Sequence, residues 1–422
     1  VSTVGLIGIL LCLVALPVFR PRSSAGLLLF FMLLALHVAA SVAFHQYALT
    51  TPADAALYYL DTTGLRRAEF TLGTIFTIKL VQFLKAWIGG TYLDYFLLFQ
   101  AVGFWGILLL QRCIEHAEQA FGNGLTRAPF WVLFLPGLHF WTGAIGKDAP
   151  LFFAISLAVY ATVRLSTRAL WFGTALFIMV LFRPHIALLA AAALACASFF
   201  GSETRPLQKI MLVLVALIAI GSVAGSVESS FSLDLSNPAS IGAYLEKQQA
   251  NLQGTSGAAD FQNAFFGLRL VSLLFRPFFF DAQGLFAFIS SVENLAYLFI
   301  VGFMVRAWKD GVLIFRAAVF FRFAFFFAVA LTVLLTMVYY NVGLGLRQKT
   351  MVMPALLTFF GGQWMMRGTR LRAAVQSSYP YVPTLHREPS ATIPSSDGDE
   401  AASNRGASET LLAETGNASE KL

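Results

Sequence analysis

Charge is what this 422-residue chain has least of, since only 12% of its residues are Asp, Glu, Lys or Arg. An ordinary soluble domain carries about 25%, so a surface that faces water on all sides is excluded. Cysteine is scarce as well. Cys12, Cys113 and Cys196 are odd in number and lie in or beside apolar runs, which excludes a disulfide framework and gives no metal cluster; they are packing residues. No P-loop, G-x-G-x-x-G, H-E-x-x-H or G-x-S-x-G signature occurs. Their absence argues against ATP hydrolysis and dinucleotide redox chemistry, and leaves a membrane-borne donor for any chemistry present. The net charge of +7 is spread over loop ends with no basic stripe among aromatics, so it gives no sign of nucleic-acid binding.

Apolar residues are abundant: 58% of the chain is hydrophobic, Phe alone accounts for 42 positions, and mean hydropathy is +0.72. A span needs roughly 20 apolar residues to cross a hydrocarbon core about 30 Å thick. In lipid the backbone must satisfy its own N–H and C=O groups. The fold class expected is therefore all-α, a polytopic integral membrane bundle of about eleven transmembrane helices. These fall at 2-19, 25-43, 92-111, 129-146, 150-164, 169-183, 185-201, 209-226, 285-305, 313-339 and 350-366. The apolar start, with no charged segment before it, is expected to be a retained first span. Residues 72-90, LGTIFTIKLVQFLKAWIGG, contain Lys79 and Lys85 and are expected to lie as an interfacial amphipathic helix; as a short span they would shift the parity downstream.

Basic residues then decide sidedness. With the N-terminus outside, Arg20 and Arg22, Arg112 to Arg127, Arg164 to Arg168, Arg205 to Lys209, Arg306 to Lys309 and the tail from Arg367 all fall in the cytoplasm, as the positive-inside rule requires. The organisation expected is an N-terminal bundle over 1-226 with a first outer loop at 44-71, a large outer loop at 227-284, C-terminal spans over 285-366, and a disordered cytoplasmic tail at 367-422, rich in Ser, Ala, Glu and Pro.

The informative residues break that rule. Lys147, Arg183, Arg269, Arg276, Arg347 and Lys349 land at or near the outer face, where cations should be scarce, and point to an anionic ligand such as a lipid-linked phosphate. The first outer loop holds DAALYYLDTTGLRR. If helical, its Asp54 and Asp61 share a face, with Tyr58 and Tyr59 between them to stack on sugar rings; the plain alternative is a solvated acidic loop. LPGLHFWTGAIGKDAPLFF places Lys147 and Asp148 between two apolar runs, either as a functional pair or as a mutual salt bridge at a tight turn. Arg183-Pro184-His185 repeats the pattern, with a snorkelling Arg as the alternative. Arg269 and Arg276 lie in a Phe-rich segment suited to the interface, and Glu293 sits eight residues into the ninth span, to be paired or catalytic. In NVGLGLRQKTMVMP, Arg347 offers a planar fork for pyrophosphate oxygens and Lys349 adds a point charge.

WTGAIGKDAPLFF, LFRPFFFDAQG followed by Glu293, and NVGLGLRQKTMVMP resemble recurring segments of bacterial polysaccharide polymerases from exopolysaccharide and O-antigen gene clusters. D-A-x-x-Y-Y also resembles the acidic first periplasmic loop of polyprenyl-phosphate-dependent glycosyltransferases of the GT-C type. The polymerase resemblance implies an inner-membrane enzyme with a periplasmic active site. That enzyme transfers a glycan from undecaprenyl pyrophosphate to another lipid-linked repeat unit. It would need no cofactor and no metal, and would work beside a flippase and a chain-length regulator. It implies pyrophosphate binding by Arg276 and Arg347 with Arg183, Arg269 and Lys349 in support. Asp54 or Asp148 is then the base, with Lys147 stabilising charge and His185 as a second proton acceptor. Glu293, Tyr58 and Tyr59 complete the substrate site. A single-sugar transferase and a lipid-oligosaccharide flippase stay open as alternatives.

Overall fold

In a computed structural model, the described residues are 2–201, 264–338 and 341–378, except 20, 22, 62, 63 and 123–126, plus a few isolated positions between 202 and 263. Val1–Val375 packs as one compact unit, and Gln376–Leu422 is a second, of which only 376–378 are described. Among the described residues the chain is helical throughout, without a strand. The N-terminal half contributes α1 (Thr3–Leu13), α2 (Ala15–Phe19), α3 (Ser24–Thr50), α4 (Asp54–Leu60), α5 (Thr74–Ile88) and α6 (Tyr92–Phe121), then α7 (Pro136–Thr142), α8 (Asp148–Thr162), α9 (Leu165–Phe182) and α10 (Pro184–Phe199). The C-terminal part contributes α11 (Phe266–Phe275), α12 (Gly284–Arg306), α13 (Trp308–Ala317), α14 (Val319–Met337), α15 (Val342–Lys349) and α16 (Met353–Ser378).

Five of these, α3, α6, α9, α12 and α14, are long and apolar enough to cross a membrane, and α1–α2, α8, α10 and α11 are shorter apolar helices. This is an all-α membrane protein. Large apolar side chains such as Leu170 and Phe280 lie more than four-fifths exposed, a surface suited to lipid and not to water. The hub is α6: 78% of its most apolar window is buried inside the protein, against 22% for α9. A capping box starts it, with Thr91 Oγ1 accepting from the Asp94 N–H and Asp94 Oδ2 accepting from the Thr91 N–H at 2.7 Å. Gly103 lets α7 come close, since a Cβ there would lie 2.1 Å from the Thr142 carbonyl oxygen.

The unbroken span expected at 129-146 is instead a 3₁₀ turn, Phe130–Phe134, followed by the seven-residue α7. Pro136 lacks the N–H that would join them and sits at the start of α7, where that loss is harmless. The segment at 72-90 forms α5, and α16 continues past 366 to Ser378. The span at 209-226 and most of the large loop lie outside the described residues.

Candidate functional site

Four chain breaks deliver the outlying charges to one place. At the first, Ala53 makes no side-chain cap and Asp54 opens α4. At the second, Gly146 has φ +148, a conformation side chains rarely adopt, and a Cβ there would lie 3.0 Å from the Tyr58 ring. This turn ends the α7 segment and places Asp148 at the start of α8. At the third, Pro184 disfavours helical geometry in the residue before it, so Arg183 is thrown out at φ −154 and ψ 84 between α9 and α10. At the fourth, Asn341 caps α15 by accepting from the Leu344 N–H at 3.0 Å, and Arg347 projects from its last turn.

Arg347 is the centre. Its Nε donates to Asp148 Oδ2, and its Nη1 donates to Asp54 Oδ2 at 2.5 Å. Arg183 Nη2 lies 3.5 Å from Asp148 Oδ1, and its Nε is buried without a hydrogen-bond partner. Lys147 turns away from its neighbour Asp148 and donates to Thr74 Oγ1 at 3.0 Å. The mutual Lys147–Asp148 bridge weighed from the sequence is thus replaced by three contacts to other elements, Asp148 with Arg347 and Arg183 and Lys147 with Thr74. Tyr58 is buried beneath this group, and His185 lies within electrostatic range of Arg183 and Lys147.

Three cations face two carboxylates, which leaves one positive charge in excess. Burial pushes the Asp54 carboxyl up, but the Arg347 guanidinium outweighs it and holds the group below the usual carboxylate range. Burial, reinforced by Arg183 and Arg347, pushes the Lys147 ammonium down to about 8. The Tyr58 hydroxyl is raised by burial and then by Asp54, and stays protonated. Burial separates the two carboxylates: the Asp148 side chain is 7% exposed and Asp54 52%. The arrangement holds one carboxylate inside, one at the solvent border, and cations between them.

Asp54, Tyr58, Lys147, Asp148, Arg183, His185 and Arg347 therefore come together, and the other expected residues do not join them. Tyr59 donates to the Gly90 carbonyl at 2.9 Å, with Lys85 Nζ 4.0 Å over its ring. Arg276 pairs with Asp281 at 2.7 Å, and Arg269 donates to the Ala264 carbonyl at 3.1 Å. Asp61 does not share a face with Asp54. It takes a left-handed conformation that ends α4 and pairs with Arg66 at 3.6 Å. Glu293 and Lys349 belong to a second, deeper network. There Glu293 accepts from the Tyr297 hydroxyl and from the Gly137 N–H at 2.6 Å, while Lys349 donates to Asn294 Oδ1 and to the Leu274 carbonyl at 3.3 Å. Thr74 is the contact that the sequence did not single out. Its only local sign is a hydroxyl at the first position of α5.

A cavity of ≈ 660 Å³ opens among α11, α12, α13, α14 and α16, lined by residues such as Leu270, Leu274, Val301, Phe325 and Leu356. Its wall Leu274 is the same residue whose carbonyl receives Lys349, two positions after Arg347 on α15. No group of three or more His, Cys, Asp or Glu that could hold a metal occurs among the described residues. No protein-family model, curated protein or solved structure matches this chain.

Proposed function

We propose that the protein is a membrane polysaccharide polymerase that joins undecaprenyl-pyrophosphate-linked oligosaccharide repeat units at the periplasmic face of the bacterial inner membrane. The observation that carries this reading is the convergence of Arg183 and Arg347 on two carboxylates of unequal exposure, with Lys147 within electrostatic range of both. An excess of positive charge suits a pyrophosphate leaving group, and an accessible carboxylate suits a hydroxyl that must lose its proton. In the reaction, the acceptor sugar hydroxyl attacks the anomeric carbon of the donor glycan. The C–O bond to pyrophosphate breaks, undecaprenyl pyrophosphate departs against Arg347 and Arg183, and Asp54 takes the proton. Lys147 adds charge to the same anion. Asp148 is too enclosed to meet an acceptor, and acts by holding both guanidiniums in place. The apolar cavity among α11, α12, α13, α14 and α16, whose wall Leu274 receives Lys349 on its carbonyl, offers a place for the isoprenoid chain of such a substrate.

The test is the profile of lipid-linked oligosaccharides in a strain lacking this chain, complemented with the wild type or Arg347→Ala. Complete single repeat units should accumulate without polymer, and the variant should not restore it. Truncated units would identify a transferase that builds the repeat. Unchanged polymer would end the polymerase reading.

A further inference from the structure

The two bonds made by Arg347 are unequal. Asp148 is enclosed and is shared with Arg183, whereas Asp54 lies at the solvent border on a seven-residue helix with no side-chain cap. Of the two carboxylates only Asp54 is open to water, at 52% exposed against 7% for Asp148, so the Asp54 end is the one that can exchange. Beside it, Arg183 Nε is a buried donor with no hydrogen-bond partner among the described residues. We propose that the Asp54 carboxylate occupies, on Arg347 Nη1, the place of the ligand's own anionic group, and that a phosphate or pyrophosphate binds by displacing it toward solvent. This rests on the anion-binding reading above and adds where the anion sits and how it enters.

Displacement leaves three cations facing one carboxylate, so the site grows more positive at the moment the anion arrives. It also frees Asp54 from the guanidinium that depresses its proton affinity. The carboxylate therefore becomes a stronger base when substrate is bound, and a weak one when the site is empty. A ligand that must first expel a resident group binds more weakly by the fraction of time the site is open.

The experiment is calorimetric titration of the full-length protein in nanodiscs with inorganic pyrophosphate and, separately, with farnesyl pyrophosphate. Asp54→Asn removes the competitor and should tighten both ligands by about tenfold, as expected for a site open about a tenth of the time. Asp61→Asn removes the same charge from the same outer segment and should change affinity less than twofold. Tighter farnesyl pyrophosphate than inorganic pyrophosphate would assign the anion to a lipid headgroup; equal affinities would assign it to a free anion, with displacement supported in either case. Wild-type binding that Asp54→Asn leaves unchanged or weakens overturns the displacement and spares the anion site. An equal gain in Asp61→Asn overturns it too, since general charge would then explain the effect. If neither ligand binds the wild type or Asp54→Asn, both readings fall.

Discussion

Arg347 and Asp148 stand 199 positions apart in the chain, yet the guanidinium of one donates directly to the carboxylate of the other, joining the end of α15 to the start of α8. Each needs the other: both side chains are at most 16% exposed, and an uncompensated charge at that depth is expensive.

Removing Asp148 takes away the carboxylate that Arg183 and Arg347 share and leaves Arg347 only Asp54. Asp148→Ala is expected to cost about 3–5 kcal/mol, the range for breaking a buried ion pair from one side. Asp148→Asn, which keeps an acceptor oxygen, should cost less. Thermal unfolding in detergent reads both, and midpoints unchanged from wild type in the two variants would show that the pair does not hold α8 to α15.

How far this site could be read from sequence depends on the residue. Lys147, Arg183 and Arg347 stand out in the sequence because they break the charge bias expected of an outer face, and these three meet in the cluster, whereas Arg269, Arg276 and Lys349 break the same expected bias and lie elsewhere. Which carboxylate each would meet was not legible, because the partners come from four separate breaks in the chain. Asp54 and Asp61 were expected on one face because seven residues are nearly two turns. That spacing holds only while the helix lasts, and Asp61 ends it. The run at 129-146 has the composition of a span, but hydropathy averages over Pro136, and the backbone does not. Arg269 and Arg276 carry the same expected outer-face address as Arg347 but have local acceptors in Ala264 and Asp281, which the charge bias does not register.

Lys147 makes ligand binding and folding respond to pH in opposite directions. Burial and the neighbouring arginines depress its ammonium to about 8. Below that pH it is a cation and helps hold an anion. Pyrophosphate affinity should therefore fall as pH rises through about 8, and Lys147→Arg, charged throughout, should flatten the profile. For folding, the unfolded chain binds this proton more tightly than the folded protein does. The penalty of keeping Lys147 charged is thus present below its folded value and is relieved as pH rises toward the ordinary lysine value of 10.5. The difference in unfolding midpoint between wild type and Lys147→Gln should shift in favour of the wild type over that window. Parallel trends in binding and stability would contradict the assignment.

Glu293 and Lys349 provide the last discrimination, between a group that meets the ligand and one that holds the frame. Lys349 leaves α15 two residues after Arg347, but it is only 2% exposed and ends on Asn294 and the Leu274 carbonyl, with its ammonium 4.6 Å over the Tyr297 ring. Glu293 accepts from the hydroxyl of the same tyrosine. The burial that lowers Lys349 to about 8 is partly offset by Glu293, so each charge is tolerated because of the other. Lys349→Met alone should destabilise more than the double variant Lys349→Met, Glu293→Gln, with a coupling of about 0.5–3 kcal/mol in a double-mutant cycle. Arg347 paired with Lys349 should show coupling near zero, because its partners Asp54 and Asp148 belong to a separate set. If instead Lys349 proved additive with Glu293 and strongly coupled to Arg347 in pyrophosphate binding, it would belong to the anion site, and the division into two networks would have to be redrawn around α15.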